Sequence, residues 1–404
     1  MKGRKKIAVF FGGRSPEHDV SVITALQVMA ALDEEDYDII PVYLAINGLW
    51  WCGDTLRKKA TYLPGPEQFA KLTQVKLDIT NSGKPVLVEQ NVSFLHRSSK
   101  FEFDVAFLAF HGLMGEDGQI QGMFQVAGVP YTGMRTMASA VLMDKVATKR
   151  ILASTNIPML PYIELQRPTE GFLITEAELI KHIGDFPAPW CVKPSHLGSS
   201  IGVTRADTVS EVTDVLLEVF KYDTTAILEP FIENMVEYNI AVSKAFGNIS
   251  TSAIEQPKKT NELLDFKQKY LNSKNSKTIG KKVLELSKGD GMLSLTRELN
   301  PNLRDDQEAQ IRHWAMVAFE AVAGSGAPRV DFIMNETTGE IWLNEVNPCP
   351  GSLSYFLWEA SSEYLVLFSD LLNALIKEAI YEAARVKLPA DPTPVNARLF
   401  SRRG

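Results

Sequence analysis

Short apolar runs alternate with amphipathic stretches along this chain, and the alternation predicts an α/β protein. The run Ile7–Phe11 predicts a compact strand that ends at a Gly-Gly turn, and Val20–Leu32 then supplies an apolar helical face. Ser15 is predicted to be the N-cap of this helix, with Pro16 at its first position. The next apolar run, Asp38–Ile46, predicts a second strand. Strand, glycine turn, helix and strand in this order begin a doubly wound parallel sheet.

The middle of the chain predicts a small α/β unit. Helical periodicity runs through Ala138–Ser154, which places the Met-Asp-Lys sequence ending at Lys145 inside that helix. Thr175 and Thr208 each stand three residues before a glutamate, the pattern of a capping box at a helix start. The apolar strand Trp190–Lys193 lies between the two helices that these threonines begin.

The last part of the chain predicts a β-rich unit that contains a hairpin. Ala226–Glu233 is predicted to be its first strand and Val236–Phe246 its second. Two apolar runs, Arg329–Met334 and Glu340–Val346, flank an Asn-Glu-Thr-Thr-Gly turn, which is typical of a β-hairpin. The amphipathic stretch Glu363–Val386 predicts a long closing helix. The polar stretch 272–306 is read as an insertion near the site.

These patterns predict three domains of mixed α/β and α+β type. The predicted divisions are a doubly wound domain at residues 1–135, a small central domain at 136–226, a C-terminal domain with the hairpin at 227–388, and a tail at 389–404.

The hairpin carries the first candidate site. Strand periodicity places Arg329 and Asp331 on one face of their strand, and Glu345 and Asn347 on one face of theirs. Pairing of the strands can bring these faces together. Oxygen ligands of this kind suit Mg²⁺, which usually shares them with substrate phosphates, and the guanidinium suits an anion or a developing oxyanion. Taken alone, the same residues also describe a surface hairpin with a polar face.

A second candidate site follows the strand that ends in Lys193. The Gly/Ser-rich turn after it offers backbone N–H groups and hydroxyls to a phosphate, and Lys145 offers a further ammonium. Glu229 stands beside Phe231 and Ile232, a combination that can meet the edge of an adenine and cover its faces. Taken singly, the Gly/Ser-rich segment is explained equally well by an ordinary turn, and a surface charge is the favoured explanation of Glu229 or Lys145.

Composition narrows the class of protein. The 404 residues are 45% hydrophobic and 23% charged, with a formal net charge of −7, which is ordinary for a globular enzyme and argues against a general nucleic-acid binder. Cys52, Cys191 and Cys349 are far apart in the chain, so a disulfide framework is not expected and a reducing cytoplasm is the expected compartment. The short apolar run near the N-terminus fits a strand rather than a signal peptide. No run approaches the ~18 apolar residues of a membrane span, so no membrane partner is expected.

Taken together in order, these segments resemble the D-alanine–D-alanine ligase family of the ATP-grasp superfamily. The resemblance spans nearly the whole chain. It rests on GGRSPEHDVS (12–21), HGLMGEDGQIQG (111–122), GVPYTG (128–133), MDK (143–145), KPSHLGSSIGV (193–203), LEP (228–230), DFKQKY (265–270), RVDF (329–332) and LNEVNPCPG (343–351).

The resemblance implies an ATP site and a metal site. The residues implied for ATP are Lys145 and Lys193 at the phosphates, Glu229 with Phe231 and Ile232 at the adenine, Glu237 at the ribose, and Lys269 of the lid at the γ-phosphate. The residues implied for two Mg²⁺ ions, which Mn²⁺ can replace, are Asp331, Glu345 and Asn347. The fold implied is an N-terminal doubly wound domain followed by two α+β domains that clamp ATP, in an enzyme expected to be a homodimer.

The resemblance also implies the groups that handle the amino acids. Arg329 and the backbone of Gly351 are implied as oxyanion stabilisers. Glu17 is implied to bind the ammonium of the first substrate and to form, with Ser199 and Tyr270, a hydrogen-bonded triad that keeps the lid closed. His111 and Glu116 are implied to line the first amino-acid site. The implied reaction activates a carboxylate with ATP as an acylphosphate, which an amine then attacks.

Departures from the family pattern concern the second substrate. The serine that holds its carboxylate is replaced by Phe356, which cannot donate that hydrogen bond; Ser352 or Ser354 is the candidate substitute. The lid carries Lys267 where a glutamate is common, whereas Tyr270 favours an amine acceptor. The expected activity is that of a D-alanine–D-alanine ligase. A ligase with another acceptor and a non-catalytic nucleotide-binding protein are the alternatives.

Overall fold

The computed structural model places three sheets along the chain. It describes residues 3–62, 69, 71–79, 84–90, 98–171, 173–198, 201–258, 297–361, 366–387, 393 and 397. The implied site residues Ser199, Lys269 and Tyr270, together with Lys267 and most of the polar stretch 272–306, lie outside the described residues.

The N-terminal sheet has seven strands, in the order β6-β5-β4-β3-β2-β1-β7. Its strands are β1 (Lys5–Gly12), β2 (Tyr37–Leu44), β3 (Trp50–Cys52), β4 (Thr73–Asp78), β5 (Val86–Glu89), β6 (Lys100–Glu102) and β7 (Val105–Leu108). Its helices are α1 (His18–Ala31) and α2 (Gln119–Val126), with short 3₁₀ helices at Asp54–Arg57 and Lys59–Tyr62. β1 pairs in parallel with β2 and β7, whereas β3 to β6 extend the sheet in antiparallel pairs. The expected parallel sheet is therefore limited to β2, β1 and β7, at one end of a mixed sheet.

Helix α1 begins later than the sequence predicts. Its N-cap is Glu17, and the hydroxyl of Ser15 accepts a hydrogen bond from the Glu17 N–H at 3.1 Å in a local turn. Serine side chains compete with the helix in this way by bonding nearby backbone. Glu17 is therefore a half-buried residue in the connection between β1 and α1.

The stretch predicted as one helix, Ala138–Ser154, is two: α3 (Thr136–Met143) and α4 (Lys145–Leu152). Asp144 separates them with an extended backbone, and its carboxylate accepts hydrogen bonds from Val146 N and Ala147 N at 2.9 and 3.2 Å. An aspartate N-cap satisfies N–H groups that lack intrahelical partners. Lys145 is therefore the first residue of a helix rather than an interior one.

The central sheet has the order β10-β9-β11-β8. Its strands are β8 (Ile163–Gln166), β9 (Trp190–Pro194), β10 (Thr204–Ala206) and β11 (Thr225–Pro230), and its helices are α5 (Glu176–Ile183) and α6 (Val209–Val219). The capping box predicted at Thr175 is present. At Thr208 only half of the predicted box forms: its hydroxyl accepts from Glu211 N, whereas the Glu211 carboxylate accepts from Asp207 N. β11 pairs with β8 and β9, so the predicted domain division at residue 227 falls inside a central strand, and Ala226–Glu233 does not begin the last unit.

The C-terminal sheet has five strands, in the order β14-β13-β12-β15-β16. They are β12 (Met235–Ser243), β13 (Ser250–Pro257), β14 (Arg297–Leu299), β15 (Arg329–Asn335) and β16 (Ile341–Asn347). The helices that follow are α7 (Asp305–Ala321), a 3₁₀ turn at Gly351–Ser354, α8 (Tyr355–Glu359) and α9 (Phe368–Arg385). Antiparallel pairing of β15 with β16 confirms the predicted hairpin.

The final helix packs on the N-terminal domain rather than only closing its own. Leu371, Leu372 and Leu375 of α9 share one apolar cluster with Ile7 and Phe107 of the N-terminal sheet. Helices α3 and α4 instead contribute to the apolar cluster of the C-terminal sheet. The three sheets are thus held together by elements that cross from one to another. Within the described residues, no helix is long and apolar enough to cross a membrane.

Candidate active site

A row of polar side chains crosses the C-terminal sheet. Glu345 of β16 stands opposite Asp331 of β15, which stands opposite Asn239 of β12, which stands opposite Glu255 of β13. Residues directly opposite one another in a sheet point to the same face. The face predicted from hairpin periodicity therefore extends over two further strands, which periodicity within the hairpin does not reveal.

Arg329 lies two residues before Asp331 on β15 and forms an ion pair with it. The guanidinium Nε and Nη2 donate to the two carboxylate oxygens of Asp331 at 2.6 Å each. The pKa of Asp331 is raised to about 6 overall: burial and the nearby Glu345 raise it, and Arg329 lowers it. Two neighbouring buried carboxylates repel each other, so a cation beside them is favourable. The oxygen donors of Asp331, Glu345 and Asn347 form the kind of set that a hard divalent cation takes.

Lys145 reaches the hairpin from the start of α4. Its ammonium lies 3.2 Å from a carboxylate oxygen of Glu345 and donates to the carbonyl oxygen of Leu197 at 2.7 Å. Leu197 belongs to the Gly/Ser-rich turn after β9. Lys145 therefore joins the two candidate sites that the sequence predicts separately.

Lys193 belongs to β9, and its side chain reaches from the central sheet to the C-terminal sheet. Its ammonium is 2.6 Å from Glu229 and donates to Asn344 Oδ1 at 2.9 Å. Burial lowers the pKa of Lys193, but Glu229, Cys191 and Glu345 together outweigh burial and raise the pKa overall. The lysine thus stays charged in a buried place, which suits it to a polyanion.

The adenine candidates stand at the end of β11. Glu229 is 3% exposed and pairs with both Lys193 and Lys149. Phe231 and Ile232 follow it and are half-buried. Glu237 is exposed two residues before Asn239 on β12, so it projects to the face that carries Asp331.

The first-loop glutamate meets two other candidate segments. A Cβ added at Gly112 would lie 2.7 Å from a carboxylate oxygen of Glu17, and one added at Gly198 would lie 3.5 Å from the same oxygen. Gly112 also has a φ of +74°, which favours glycine. Glu17 is therefore brought to the residue that precedes Ser199, its implied partner.

His111 and Glu116 form a buried pair behind Glu17. His111 Nδ1 lies 3.2 Å from Glu116 Oε1, and His111 Nε2 lies 2.8 Å from the hydroxyl of Thr24. Burial lowers the pKa of His111 to about 4, and burial with Glu17 raises that of Glu116 well above its usual range. His111 is thus uncharged at neutral pH, and the shift of Glu116 favours its protonated, uncharged form. Burial also raises the pKa of the nearby Cys349 thiol, so this cysteine is not an activated nucleophile.

The turn after the hairpin has an unusual backbone. Ser352, Leu353 and Ser354 have φ values of 53°, 55° and 47°, a conformation that costs L-residues about 1–2 kcal/mol each. The N–H of Ser352 donates to the Thr24 hydroxyl at 3.0 Å, and Leu353 is buried in the N-terminal core. Gly351 opens the turn and is half-buried. The turn is held in place from the N-terminal domain.

The three candidates for the second substrate differ in accessibility. Ser354 is fully buried, and its hydroxyl has no hydrogen-bond partner within the described ranges. Ser352 and Phe356 are half-buried. The Phe356 ring faces a guanidinium, with Arg297 Cζ 4.1 Å from the ring centroid.

Known proteins are similar to this chain over nearly its whole length. The family model described as D-ala D-ala ligase N-terminus matches residues 6–134, and the one described as D-ala D-ala ligase C-terminus matches residues 151–377. The chain is 33% identical over 383 residues to a D-alanine–D-alanine ligase of Thermosipho africanus, with 94% of each chain covered. The chain belongs to the D-ala D-ala ligase family.

Solved structures agree with the family at the level of the fold. The VanG D-Ala:D-Ser ligase of Enterococcus faecalis is similar with a TM-score of 0.73 and 26% identity, covering 93% of this chain and all of that one. The D-alanine–D-alanine ligase of Coxiella burnetii has a TM-score of 0.73 at 24% identity, covering 95% of each chain. The expected ATP-grasp fold is confirmed, and the protein is an ATP-dependent ligase of this family.

Several residues of this ligase's site are absent from the sequence-based set. Lys149 follows Lys145 by one helical turn, and its ammonium lies 2.6 Å from Glu229. His196 lies 2.8 Å from Asp223 and 3.5 Å from Asp144, which ties the Gly/Ser-rich turn to the N-cap of α4. Hydrogen bonds to the two carboxylates raise the pKa of His196 to about 10. The i, i+4 spacing of the two lysines is the only one of these signals visible in the sequence.

Proposed function

We propose that this protein is a D-alanine–D-alanine ligase that supplies peptidoglycan precursor synthesis. The reaction class is inferred from family membership. The assignment of the site is supported by Lys145, which contacts both Glu345 and the Gly/Ser-rich turn. That contact supports one cleft shared by the residues proposed for phosphate and those proposed for metal. The enzyme is proposed to work in the cytoplasm, where ATP is available, as a homodimer.

ATP is proposed to bind between the central and C-terminal sheets. Lys145 and Lys193 meet its phosphates, and Glu229 its adenine amino group beside Phe231 and Ile232. Glu237 meets the ribose. Two Mg²⁺ ions, held by Asp331, Glu345 and Asn347, would neutralise phosphoryl charge, a role that Mn²⁺ can also fill. The lid residue Lys269 is proposed to reach the γ-phosphate.

The first D-alanine is proposed to bind beside the buried His111–Glu116 pair. Glu17 receives its ammonium, since an ionised carboxylate is the natural partner of a cation. Ser199 and Tyr270 are proposed to hold Glu17 and the lid in the closed form. The carboxylate of this D-alanine attacks the γ-phosphorus, so that an acylphosphate and ADP form.

The second D-alanine then attacks as an amine. Its nitrogen bonds to the carbonyl carbon of the acylphosphate, the carbon–oxygen bond to phosphate breaks, and a proton leaves the nitrogen. Arg329 and the Gly351 N–H are proposed to stabilise the oxyanion, an effect worth about 3–4 kcal/mol where one such donor is removed from other enzymes. No protein nucleophile is needed for this sequence.

A second candidate function differs in the acceptor. Phe356 stands where the family pattern has a carboxylate-binding serine, and one structural relative is a D-Ala:D-Ser ligase. We therefore keep a ligase that joins D-alanine to another amino acid as the alternative.

A panel of amino acids tests both functions. Purified enzyme with ATP and Mg²⁺ is expected to release inorganic phosphate with D-alanine alone. Release that requires a further acceptor supports the second function, and mass spectrometry of the dipeptide identifies that acceptor. The absence of phosphate release with every D-amino acid would refute both.

A further inference from the structure

Arg297 is a charged residue that the mechanism above does not use. It opens β14, and its Nη1 donates to Glu255 Oε2 at 2.9 Å. Glu255 is 3% exposed and also accepts from the Asn239 side chain at 3.0 Å. The Phe356 ring lies against the same guanidinium, with Cζ 4.1 Å from the ring centroid. A buried carboxylate and an aromatic ring therefore hold the guanidinium from two sides.

The sheet places Arg297 on the face where the reaction is proposed to occur. Leu299 stands opposite Glu255, and Arg297 lies two residues before it, so Arg297 shares the face of the polar row. Arg297 and Arg329 lie three strands apart and on opposite sides of the polar row, each two residues from it. Both guanidinium groups turn toward the row, that of Arg297 to Glu255 and that of Arg329 to Asp331. Glu255 and Asp331 are two strand spacings apart, about 10 Å, a gap that one small amino acid can occupy.

The Arg297 guanidinium has N–H groups that make no hydrogen bond to the described residues. Arginine carries five N–H groups in a planar fork that matches a carboxylate. Nη1 is used by Glu255, while the buried Nε has no hydrogen-bond partner within the described part of the chain. The side chain is 27% exposed, so a ligand can reach it. A buried N–H without a partner is costly, so a ligand that brings an acceptor to this guanidinium is favoured.

Among the neighbouring groups, the half-buried hydroxyl of Ser352 is the remaining alternative donor. Phe356 has no donor, and the hydroxyl of Ser354 is fully buried. The backbone N–H of Ser352 is already bonded to Thr24. Among the described residues around Phe356, Arg297 is the cation that contacts the ring.

We propose that Arg297 binds the carboxylate of the acceptor amino acid, oriented by Glu255 and by stacking on Phe356. The guanidinium takes over the task of the serine hydroxyl that Phe356 replaces. This inference rests on the proposed ligase function. It makes Arg297 a specificity-determining residue of the acceptor site, with no part in binding ATP or the first amino acid.

The test compares an acceptor that has the carboxylate with one that lacks it. D-Alaninamide carries the attacking amine, but it has no carboxylate and cannot be activated as the first substrate. Dipeptide and dipeptide amide are quantified by mass spectrometry with D-alanine as donor. The wild-type enzyme is expected to favour D-alanine over D-alaninamide as acceptor by about 10- to 100-fold, the range of a charge-assisted hydrogen bond.

Arg297→Gln is expected to raise the acceptor KM by about 10- to 100-fold and to remove the preference for the carboxylate, leaving the KM for ATP unchanged. Arg304→Gln is the matched control, because Arg304 is exposed and pairs only locally with Asp306. Arg297→Lys keeps the charge without the fork and is expected to fall between the two. Arg297→Gln/Phe356→Ser is expected to recover part of the lost affinity, since it restores a hydroxyl.

The outcomes separate this inference from the proposed function. A wild-type enzyme that makes dipeptide, with an Arg297→Gln variant that keeps the same acceptor KM and the same preference for the carboxylate, overturns the role of Arg297 alone. A wild-type enzyme that is inactive with every amino acid overturns the function and this inference together. Melting temperatures of all variants identify loss of folding. If Arg297→Gln does not fold, the comparison of wild type with Arg297→Lys decides, and equal acceptor KM values refute the proposal.

Discussion

Lys149 provides the sharpest test of the buried charge network. Its ammonium lies 2.6 Å from Glu229 Oε1 and donates to the carbonyl oxygen of Leu160 at 3.0 Å, while Lys193 holds the other carboxylate oxygen. Burial raises the pKa of Glu229, but the two lysines outweigh it and lower the pKa overall. Lys149→Met keeps the side-chain length and removes one of the two compensating charges.

The expected cost follows from what is left unpaired. Removing one partner of a buried ion pair typically costs about 3–5 kcal/mol. Lys193 still compensates Glu229, which reduces the loss, whereas the carbonyl of Leu160 loses its donor. We expect about 2–4 kcal/mol of unfolding free energy to be lost. For a chain of 404 residues this lowers the Tm by about 2–5 °C.

Thermal unfolding and ATP kinetics of Lys149→Met measure both consequences. The KM for ATP is expected to rise by about 10-fold, because Glu229 loses one of the two contacts that orient it. Lys221→Met is the control, since Lys221 pairs with Glu218 on the surface and no change in Tm is expected. A Tm and an ATP KM equal to those of the wild type would show that the pair does not stabilise Glu229.

Three further predictions address other parts of the site. Glu345→Gln is expected to lower kcat at least about 100-fold in phosphate release, and a near-normal kcat would refute the metal assignment. Thr24→Val leaves the Ser352 N–H and His111 Nε2 unpaired and is expected to cost about 1–3 kcal/mol in chemical unfolding; an unchanged midpoint contradicts the link. His196 has its pKa raised to about 10 by Asp144 and Asp223, so its stabilisation is full below its unfolded pKa, near 6.5, and is lost as the pH rises through 10. The difference in Tm between wild type and His196→Gln is therefore expected to shrink between pH 6.5 and 10, and a constant difference refutes it.

The elements that the sequence predicts well are those with local causes. The hairpin β15–β16 follows from two apolar runs around a turn, and the helix at Val209 follows from its threonine cap. The break at Asp144 is missed because the apolar periodicity continues across it, whereas the cap depends on one side chain turning back to the next N–H groups. The assignment of β11 is missed because strand pairing is decided by partners far away in the chain.

In the candidate site too, features with local causes are predicted from the sequence and contacts between distant residues are not. Arg329, Asp331, Glu345 and Asn347 are placed together by the register of adjacent strands, which periodicity predicts. Links such as Thr24 with Ser352 join residues more than three hundred positions apart, and no local pattern reports them. Side chains that position the reacting groups are therefore harder to predict from sequence than the groups themselves.

The packing of α9 on the N-terminal sheet bears on how this protein is made. β1 emerges early in synthesis, yet the apolar side chains that cover Ile7 and Phe107 include Trp358 and Leu371, near the other end of the chain. Until those residues leave the ribosome, one face of the N-terminal sheet lacks its partner, and exposed apolar strands promote aggregation. Packing of the first domain is thus coupled to α9, and chains that end before α9 are expected to expose this apolar face of the N-terminal sheet.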